Sequence, residues 1–243
     1  MDSLGILGHS NARFYAGSIL LALEFLHARQ IAYLDLKSEN CLIDHQGYLK
    51  IIDFGIAQRI TRSKGHVMLG TPIIMAPEMI LGKGYTTLAD LWSLGICLYD
   101  FVIGQFPFGN NCTNTIQIYQ DILQGDLHFP PALVEKAHGP ATASLISGLL
   151  TRDPVKRLGA GFEGYAAIKQ HAFFAGFEWD MLLGREIPPP FVPRSETYGE
   201  DREQEAGPTS VSEPQLVVDE ESANHEDDEW VDPNPGWDAD FDF

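Results

Sequence analysis

Residues 35–40 read Asp-Leu-Lys-Ser-Glu-Asn, and residues 53–55 read Asp-Phe-Gly. Between the two stretches lie short apolar runs at residues 41–43 and 48–52, joined by Asp-His-Gln-Gly, a good turn sequence. Apolar runs separated by such a turn predict a small β-hairpin. Asp53-Phe54-Gly55 directly follows this hairpin, and the two polar stretches are the candidate centre of a functional site.

Helical patterns surround this centre. From residue 88 to residue 103 nearly every residue is apolar and the only charges are Asp90 and Asp100, which predicts a helix buried on all sides. An amphipathic helix ending near residues 27–30 is predicted upstream, with Ser10 and Asn11 as candidate caps. Further helical patterns lie near residues 115–123, 141–150 and 165–174. The predicted fold class is mainly α with a small hairpin.

The charge is concentrated at one end of the chain. The net charge is −18, but residues 195–243 hold 17 of the 34 acidic residues against the single Arg202. The remaining 17 acidic and 15 basic residues leave the body nearly neutral, so no basic field favours nucleic acid or an anionic membrane. Residues 195–232 are sparse in apolar side chains and are expected to be disordered.

Cysteine usage and hydropathy indicate a compartment. Three widely spaced cysteines, Cys41, Cys97 and Cys112, form no metal-ligand or CxxC pattern and favour a reduced protein. The first eight residues show no secretory signal, and no apolar stretch approaches the roughly 20 residues that a membrane span needs. A cytoplasmic location is expected.

Four further motifs follow the two polar stretches in a fixed order. They are Gly70-Thr71-Pro72, Ala76-Pro77-Glu78, Asp90-x-Trp92-x-x-Gly95 and Asp153-Pro154-x-x-Arg157-Leu158-Gly159. A lone Asp-Phe-Gly would carry little weight, but the whole series resembles the C-terminal lobe (C-lobe) of serine/threonine protein kinases of the cyclic-nucleotide-dependent (AGC) group. Within that group the chain is most similar in look to cyclic-GMP-dependent protein kinases. The resemblance covers roughly residues 9–194.

The resemblance implies roles for the polar residues of the centre. Asp35 is the expected catalytic base, and Lys37 the expected contact of the transferred phosphate of ATP. Asn40 and Asp53 are the expected Mg²⁺ ligands. Leu42 is expected to form the floor beneath the adenine. ATP and Mg²⁺ are therefore the expected cofactors.

The resemblance also implies a supporting group. Thr71 is expected to hydrogen-bond near Asp35 and Lys37. Glu78 and Arg157 are expected to form a buried bidentate ion pair, and Asp90 to accept backbone N–H bonds from the catalytic loop. Glu78, Arg157 and Asp90 would hold the fold and take no part in the reaction.

Two acidic residues indicate a class of protein substrate. In this kinase group, carboxylates at the positions of Glu39 and Asp100 face basic residues of the substrate peptide just before the acceptor. The expected substrates are therefore proteins with Arg or Lys upstream of Ser or Thr. The alternative is that either carboxylate is simply solvated.

Three positions depart from the group together. Leu34, Gln58 and Val67 stand where an Arg, a Lys and a phosphorylated Thr form a charged cluster in activation-controlled kinases of this group. Because both cations and the phosphate acceptor are replaced, no charge is left without its partner. We expect no need for an activating phosphate, with apolar contacts holding the loop, or else an unrestrained loop. Thr61 and Ser63 remain phosphorylatable.

The elements that cover ATP in a kinase are not found in this sequence. No G-x-G-x-x-G precedes residue 9, and Val-Ala-x-Lys occurs nowhere. The expected organisation is a kinase C-lobe at residues 1–180 with the N-terminal lobe (N-lobe) absent, and a C-terminal extension at residues 181–243. The interleaved aromatic and acidic residues 237–243 resemble the group's docking end, which binds the N-lobe.

Two functions remain open from the sequence. The first is a serine/threonine kinase catalytic domain that transfers the γ-phosphate of ATP, truncated to its C-lobe and inactive without an N-lobe. The second is a catalytically inactive, pseudokinase-like binding module. The complete set of Asp35, Lys37, Asn40 and Asp53 favours the first, because a binding module has no need of it.

Overall fold

A computed structural model describes residues 5–60, residue 65 and residues 70–193. Within these ranges the chain forms eight α-helices and two sheets of two antiparallel strands each. In chain order they are α1 (His9–Ala28), β1 (Ile31–Ala32), β2 (Cys41–Ile43), β3 (Leu49–Ile51), β4 (Gln58–Arg59), α2 (Pro77–Ile80), α3 (Leu88–Ile103), α4 (Thr115–Gln124), α5 (Pro131–Val134), α6 (Gly139–Leu149), α7 (Tyr165–Lys169) and α8 (Trp179–Leu183). The predicted fold class, mainly α with a small hairpin, is confirmed.

Helix α3 is the axis of the domain. All but three of its residues are buried, and it packs against α1 on one side and α6 on another. Gly95 makes the second contact possible, since a Cβ there would lie 2.8 Å from Leu150 Cδ2. The left-handed Gly104, with φ of 77°, ends the helix. Both predicted ends of this helix are confirmed.

Helix α1 begins at His9, two residues before the first helical position that a cap at Ser10 would give, and the predicted caps are wrong. Gly8 occupies the cap position in an extended conformation, and no side chain caps the helix. The entry is fixed instead by a backbone bond, because Leu7 N–H donates to Phe101 O at 2.7 Å. This tertiary bond ties the start of α1 to α3 and leaves Ser10 inside the first turn.

The predicted hairpin is present, and it brings the ends of the two polar stretches to the same side. Strands β2 and β3 pair in antiparallel register, with Cys41 opposite Ile51. Beyond that pair, Ile52 N–H donates to Asn40 O at 3.0 Å. Asn40 and Asp53 therefore emerge at the same end of the hairpin.

A second, unpredicted pair of strands lies beside the first polar stretch. Strand β1 pairs with β4, with Ile31 opposite Arg59 and Ala32 opposite Gln58. Two-residue strands carry no periodicity from which they could be predicted. Their pairing joins the chain after Asp-Phe-Gly to the chain just before Asp35.

In residues 165–193 one prediction is wrong and another is confirmed. The helix predicted over residues 165–174 is broken into α7 and a 3₁₀ helix at Ala172–Phe174. The break lies at His171, whose extended backbone and side-chain Nδ1, which accepts from Phe173 N–H, start the new turn. The Pro-rich residues 187–193 form no helix, as predicted.

Burial separates the three cysteines. Cys41 and Cys97 are buried, and Cys112 is partly exposed. Burial raises the pKa of the Cys41 thiol to about 12 and that of Cys97 well above its usual range. No helix within the described ranges is both long enough and apolar enough to cross a bilayer.

Several predictions lie outside the described residues. They concern Thr61, Ser63, Val67, the acidic residues 195–232 and the chain end at 237–243.

Candidate active site

A buried carboxylate shapes the loop that carries Asp35. Asp90, fully buried in α3, accepts Tyr33 N–H on Oδ2 and Leu34 N–H on Oδ1, both at 2.8 Å. Leu34 has a left-handed φ of 71°. A residue other than glycine keeps this conformation only when the surrounding structure stabilises it. The two bonds from Asp90 therefore fix the turn from which Asp35 projects.

His27 and Tyr165 extend this support across the domain. His27 Nε2 lies 2.8 Å from Asp90 Oδ2, and its Nδ1 lies 2.6 Å from the Tyr165 hydroxyl. The resulting chain runs from α7 through the last turn of α1 to α3. Sequence reasoning missed both His27 and Tyr165, and no local pattern marks a contact between residues 138 positions apart.

Asp35 is surrounded by hydrogen-bond donors. Its Oδ2 accepts from Lys37 Nζ at 2.8 Å and from Asn40 Nδ2 at 3.0 Å, and its Oδ1 accepts from the Thr71 hydroxyl at 2.9 Å. Burial disfavours ionisation, but the hydrogen bonds from Lys37, Thr71 and Asn40 outweigh it and lower the pKa of Asp35. Asp35 is therefore a carboxylate at neutral pH, able to accept a proton.

Thr71 reaches Asp35 because Gly70 allows the backbone to pass close to the carbonyl oxygen of Leu34. Gly70 has a φ of 102°, and a Cβ there would lie 2.9 Å from Leu34 O. This approach sets the Thr71 hydroxyl between two partners, since Lys37 Nζ also donates to Thr71 Oγ1, at 3.0 Å. Asp35, Lys37 and Thr71 thus form a closed triangle of polar contacts.

Asn40 and Asp53 offer oxygen atoms suited to a divalent cation. Asn40 is buried, and its amide nitrogen donates to both Asp35 O and Asp35 Oδ2, which leaves its amide oxygen for a ligand. Asp53 is exposed, has a φ of 59°, and accepts Gly55 N–H on Oδ1. No cluster of three or more His, Cys, Asp or Glu suited to a metal occurs among the described residues. Two protein oxygens fit Mg²⁺, which usually keeps waters and substrate phosphates as its other ligands.

Apolar side chains lie beside these polar groups on the surface. Leu42, Ile52 and Phe54 are 48%, 39% and 43% exposed, although each is large and apolar. The Tyr33 ring packs edge-on against Phe54, with centroids 5.2 Å apart. This apolar surface next to Asp53 can bind a flat apolar group or a second protein surface.

The two acids predicted to bind substrate lie near one cavity. Asp100 and Ser38 both line a cavity of about 370 Å³, and Glu39 follows Ser38 directly. Glu39 is exposed and Asp100 partly exposed. The arrangement places two carboxylates beside the catalytic loop, where they can attract a cation of a peptide.

Glu78 and Arg157 form the predicted buried ion pair. Arg157 Nη1 and Nη2 donate to the two carboxylate oxygens of Glu78, each at 2.8 Å, and both side chains are buried. Two further N–H groups of Arg157 donate to Leu88 O at 2.7 Å and to Thr151 O at 3.0 Å. Every charge of the pair is thus matched, which a buried ion pair requires.

One glycine-rich motif in the sequence does not belong to this site. Residues 159–164 read Gly-Ala-Gly-Phe-Glu-Gly and match G-x-G-x-x-G. A phosphate-binding loop of that form follows a strand and opens a full helix. Here the motif follows the Arg157 loop and precedes the five-residue helix α7. It therefore lacks the context of a nucleotide loop.

Comparison with known proteins agrees with this geometry. The family described as protein kinase domain matches residues 2–174. A cGMP-dependent protein kinase of Toxoplasma gondii is 46% identical over 238 residues, which cover 98% of this chain and 22% of the relative. A cAMP-dependent protein kinase catalytic subunit of Schizosaccharomyces pombe is 42% identical over 182 residues, covering 75% of this chain and 34% of the relative.

The similarity is high, but it concerns part of each relative. A second cGMP-dependent protein kinase, from Plasmodium berghei, is 45% identical over 240 residues and is covered to 26% of its length. The chain spans about a quarter or less of the cGMP-dependent relatives that it matches. The family match over residues 2–174 shows that this chain belongs to the protein kinase family.

Proposed function

We propose that this chain carries the catalytic centre of a serine/threonine protein kinase, which transfers the γ-phosphate of ATP to a Ser or Thr hydroxyl of a protein. The observation that carries the proposal is the triangle of Asp35, Lys37 and Thr71, with Asn40 on the same carboxylate. A binding surface has no use for an ionised carboxylate that accepts three hydrogen bonds at its centre.

Each side chain of the site has its own proposed role in the phosphoryl transfer. Asp35 orients the attacking hydroxyl and accepts its proton as the oxygen–phosphorus bond forms. Lys37, 2.8 Å from Asp35, places a positive charge where the transferred phosphoryl group would pass. Thr71 holds both groups in position. Asn40 and Asp53 would hold Mg²⁺, which neutralises phosphate charge when bound.

ATP binding would use the apolar surface beside Asp53. Leu42 is proposed as the floor beneath the adenine, since it is 48% exposed on β2, two residues beyond Asn40. The proposal includes an N-lobe that covers the nucleotide from the other side, because the glycine-rich loop and strand Lys of kinases are missing from this sequence. That lobe would belong to the same functional protein or to another chain, and this chain alone would be inactive.

The proposed substrates are proteins with basic residues upstream of Ser or Thr. Glu39 and Asp100 support this choice, because Asp100 lines the cavity beside the catalytic loop and Glu39 follows Ser38, another residue of its lining. Residues 237–243 are proposed to dock on the N-lobe, and the match to the Toxoplasma gondii relative covers 98% of this chain. The proposed location is the cytoplasm, which supplies ATP and Mg²⁺ and keeps thiols such as the partly exposed Cys112 reduced.

The test is phosphoryl transfer by the protein purified from its source cells, with ATP, Mg²⁺ and a basic Ser peptide. Asp35→Asn is expected to lower kcat by at least about 100-fold, as loss of a general base does. Asp126→Asn, the same change at an exposed carboxylate outside the site, is the control and should leave kcat unchanged. Equal activity of Asp35→Asn and wild type would refute the proposal.

The alternative function is a pseudokinase-like module that presents its surfaces to partners. The exposed apolar side chains of Leu42, Ile52 and Phe54 favour it, because they can bind a protein as well as a nucleotide. Mass spectrometry of the endogenous protein separates the two functions. Peptides carrying a glycine-rich loop and its Lys support the kinase, whereas a mature N-terminus at Met1 supports the binding module.

A further inference from the structure

The Asp90 carboxylate holds the catalytic loop, and one of its hydrogen bonds comes from outside that loop. The Tyr33 and Leu34 N–H groups that it binds belong to the loop itself. His27 lies in the last turn of α1, and its Nε2 is 2.8 Å from Asp90 Oδ2, the oxygen that Tyr33 also uses. Among the described contacts of the carboxylate, the one from His27 can therefore fix its orientation independently of the loop.

The partners of His27 determine which of its ring nitrogens carries the hydrogen. A carboxylate only accepts hydrogen bonds, so the contact with Asp90 Oδ2 requires a hydrogen on Nε2. Nδ1, 2.6 Å from the Tyr165 hydroxyl, is then the acceptor of the neutral ring. Burial, together with the charges of Asp90 and Glu24, raises the pKa of Tyr165, so its hydroxyl keeps its hydrogen and can donate. The Tyr165 hydroxyl thus stabilises the tautomer of His27 that binds Asp90.

Helix α7 contacts α1 through two polar pairs, one helical turn apart. Tyr165 binds His27, and Lys169 Nζ lies 2.5 Å from Glu24 Oε2. The Tyr165 and His27 rings also pack edge-on, with centroids 5.7 Å apart. Of the two pairs, the one that includes His27 continues to Asp90. The Lys169–Glu24 ion pair therefore offers a control for the attachment of α7 to α1 as such.

We propose that Tyr165 is a positioning residue of the kinase site, which orients His27 and, through it, the Asp90 carboxylate that holds the catalytic loop. Asp35 directly follows Leu34, whose left-handed φ of 71° is held by the bond to Asp90 Oδ1. A less firmly held Asp90 would therefore misplace Asp35, although every group of the site would still be present. The proposal rests on the proposed kinase function, because the rate depends on this placement only where Asp35 is the catalytic base.

Amide hydrogen exchange, read at single residues by mass spectrometry, tests the contacts apart from catalysis. Tyr165→Phe keeps the aromatic ring and removes only the hydroxyl. It should speed exchange of the Tyr33 and Leu34 amides by about 3- to 10-fold, the effect of losing one neutral hydrogen bond. Exchange is expressed relative to the Leu150 amide, which donates to Ile146 O at 2.8 Å at the end of α6 and reports opening of the whole domain.

Lys169→Met is the matched control, because it removes the other polar pair between α7 and α1. It should leave relative exchange at Tyr33 and Leu34 unchanged. In a His27→Leu background, Tyr165→Phe should cause no further increase, because its effect passes through the imidazole. In steady-state assays Tyr165→Phe should lower kcat about 3- to 10-fold with KM for ATP and for peptide unchanged, whereas Lys169→Met should leave kcat unchanged.

Three results would overturn the proposal. The first is exchange in Tyr165→Phe that rises no more at Tyr33 and Leu34 than at Leu150. The second is equal acceleration in Tyr165→Phe and Lys169→Met, which would show that α7 acts only by its attachment to α1. The third is a kcat equal to that of an active wild type in Tyr165→Phe. If exchange responds as expected while neither wild type nor any variant transfers phosphate, the contacts behind the loop are established and the proposed kinase function fails.

Discussion

Arg157 and Glu78 lie 79 residues apart in the sequence and form two parallel N–H···O bonds of 2.8 Å each. The pair joins α2 to the loop that precedes α7. Both side chains are buried, so neither charged group can be hydrated when the other is removed.

Glu78→Gln should therefore destabilise the domain by about 3–5 kcal/mol, because it leaves a buried guanidinium without its anion. Chemical unfolding monitored by fluorescence measures the loss. Lys156→Gln is the control, since Lys156 pairs with Asp153 at 3.5 Å on an exposed surface and should contribute less than about 1 kcal/mol. Similar losses in the two variants would contradict this account of the buried pair.

Removal of the Tyr165 hydroxyl tests the chain of contacts behind the catalytic loop. Tyr165→Phe leaves His27 Nδ1 without its partner at 2.6 Å and should cost about 1–3 kcal/mol of stability. Asp90→Asn should cost more. The two Asp90 oxygens accept from Tyr33, Leu34 and His27, and the substitution replaces one of these acceptors with an NH₂ donor. Urea unfolding of both variants gives the order, and a larger loss in Tyr165→Phe would contradict it.

Two carboxylates near the catalytic loop should determine peptide preference. Glu39→Gln and Asp100→Asn remove negative charge while keeping size. Each is expected to weaken selection of Arg or Lys upstream of the acceptor by about 5- to 50-fold in kcat/KM, the range for a lost charged contact. An oriented peptide library measures the preference, and Asp126→Asn serves as the unchanged control. A library profile identical to that of the wild type would show that both acids are merely solvated.

Replacement of Gly70 should disturb the approach of Thr71 to Asp35. Gly70→Ala introduces a Cβ 2.9 Å from Leu34 O at a φ of 102°, which should cost about 1–3 kcal/mol. Gly82→Ala is the matched control, because Gly82 also has a positive φ of 62° but no atom within 4 Å of its Cβ. Thermal unfolding and kcat are the measurements. Gly82→Ala should cost only backbone strain and leave kcat unchanged, so an equal loss of kcat would contradict the role given to Gly70.

Stability should fall as the pH drops below neutrality because of His9. Burial, together with the nearby His138 and Arg13, lowers the pKa of His9 to about 4 from the usual 6.5. The unfolded chain therefore binds a proton first, so His9 lowers stability progressively between pH 6.5 and about 4 and adds nothing above pH 6.5. The loss should be about 1–2 kcal/mol, because partial exposure reduces the effect.

His9→Phe should flatten this part of the stability profile. His9 stacks on His138 at 4.0 Å and packs edge-on against Phe173, and a Phe ring keeps both contacts. His45→Gln changes an exposed histidine in the hairpin turn and should leave the slope as it is in wild type. Unfolding free energies measured from pH 7 to pH 4 decide the matter, and an unchanged slope in His9→Phe would exclude His9 as the cause.

The parts of the fold that could be predicted are those with a local signal. Helix α3 was predictable to the residue, because a continuous apolar run ends at Gly104. The hairpin was predictable from its turn, and its pairing explains why Asn40 and Asp53 emerge at the same end of it. The start of α1 was not predictable, because a backbone hydrogen bond from Leu7 to Phe101 fixes it and no side chain caps the helix.

The same division holds in the candidate site. The order of short motifs was enough to select the residues around Asp35, whose contacts the structure then provides. The contacts of Tyr85 with Gln58 and of Tyr165 with His27 depend on packing between distant elements. A tyrosine in a loop has no sequence signal that distinguishes a structural hydroxyl from a solvated one.

The unequal burial of the three cysteines makes the protein convenient for spectroscopy. A maleimide dye or spin label reacts with an accessible thiolate, and Cys41 and Cys97 offer neither access nor a low pKa. Cys112 is left as the one reactive thiol of the 243-residue chain. A single reporter can therefore be attached near the start of α4 without any mutation.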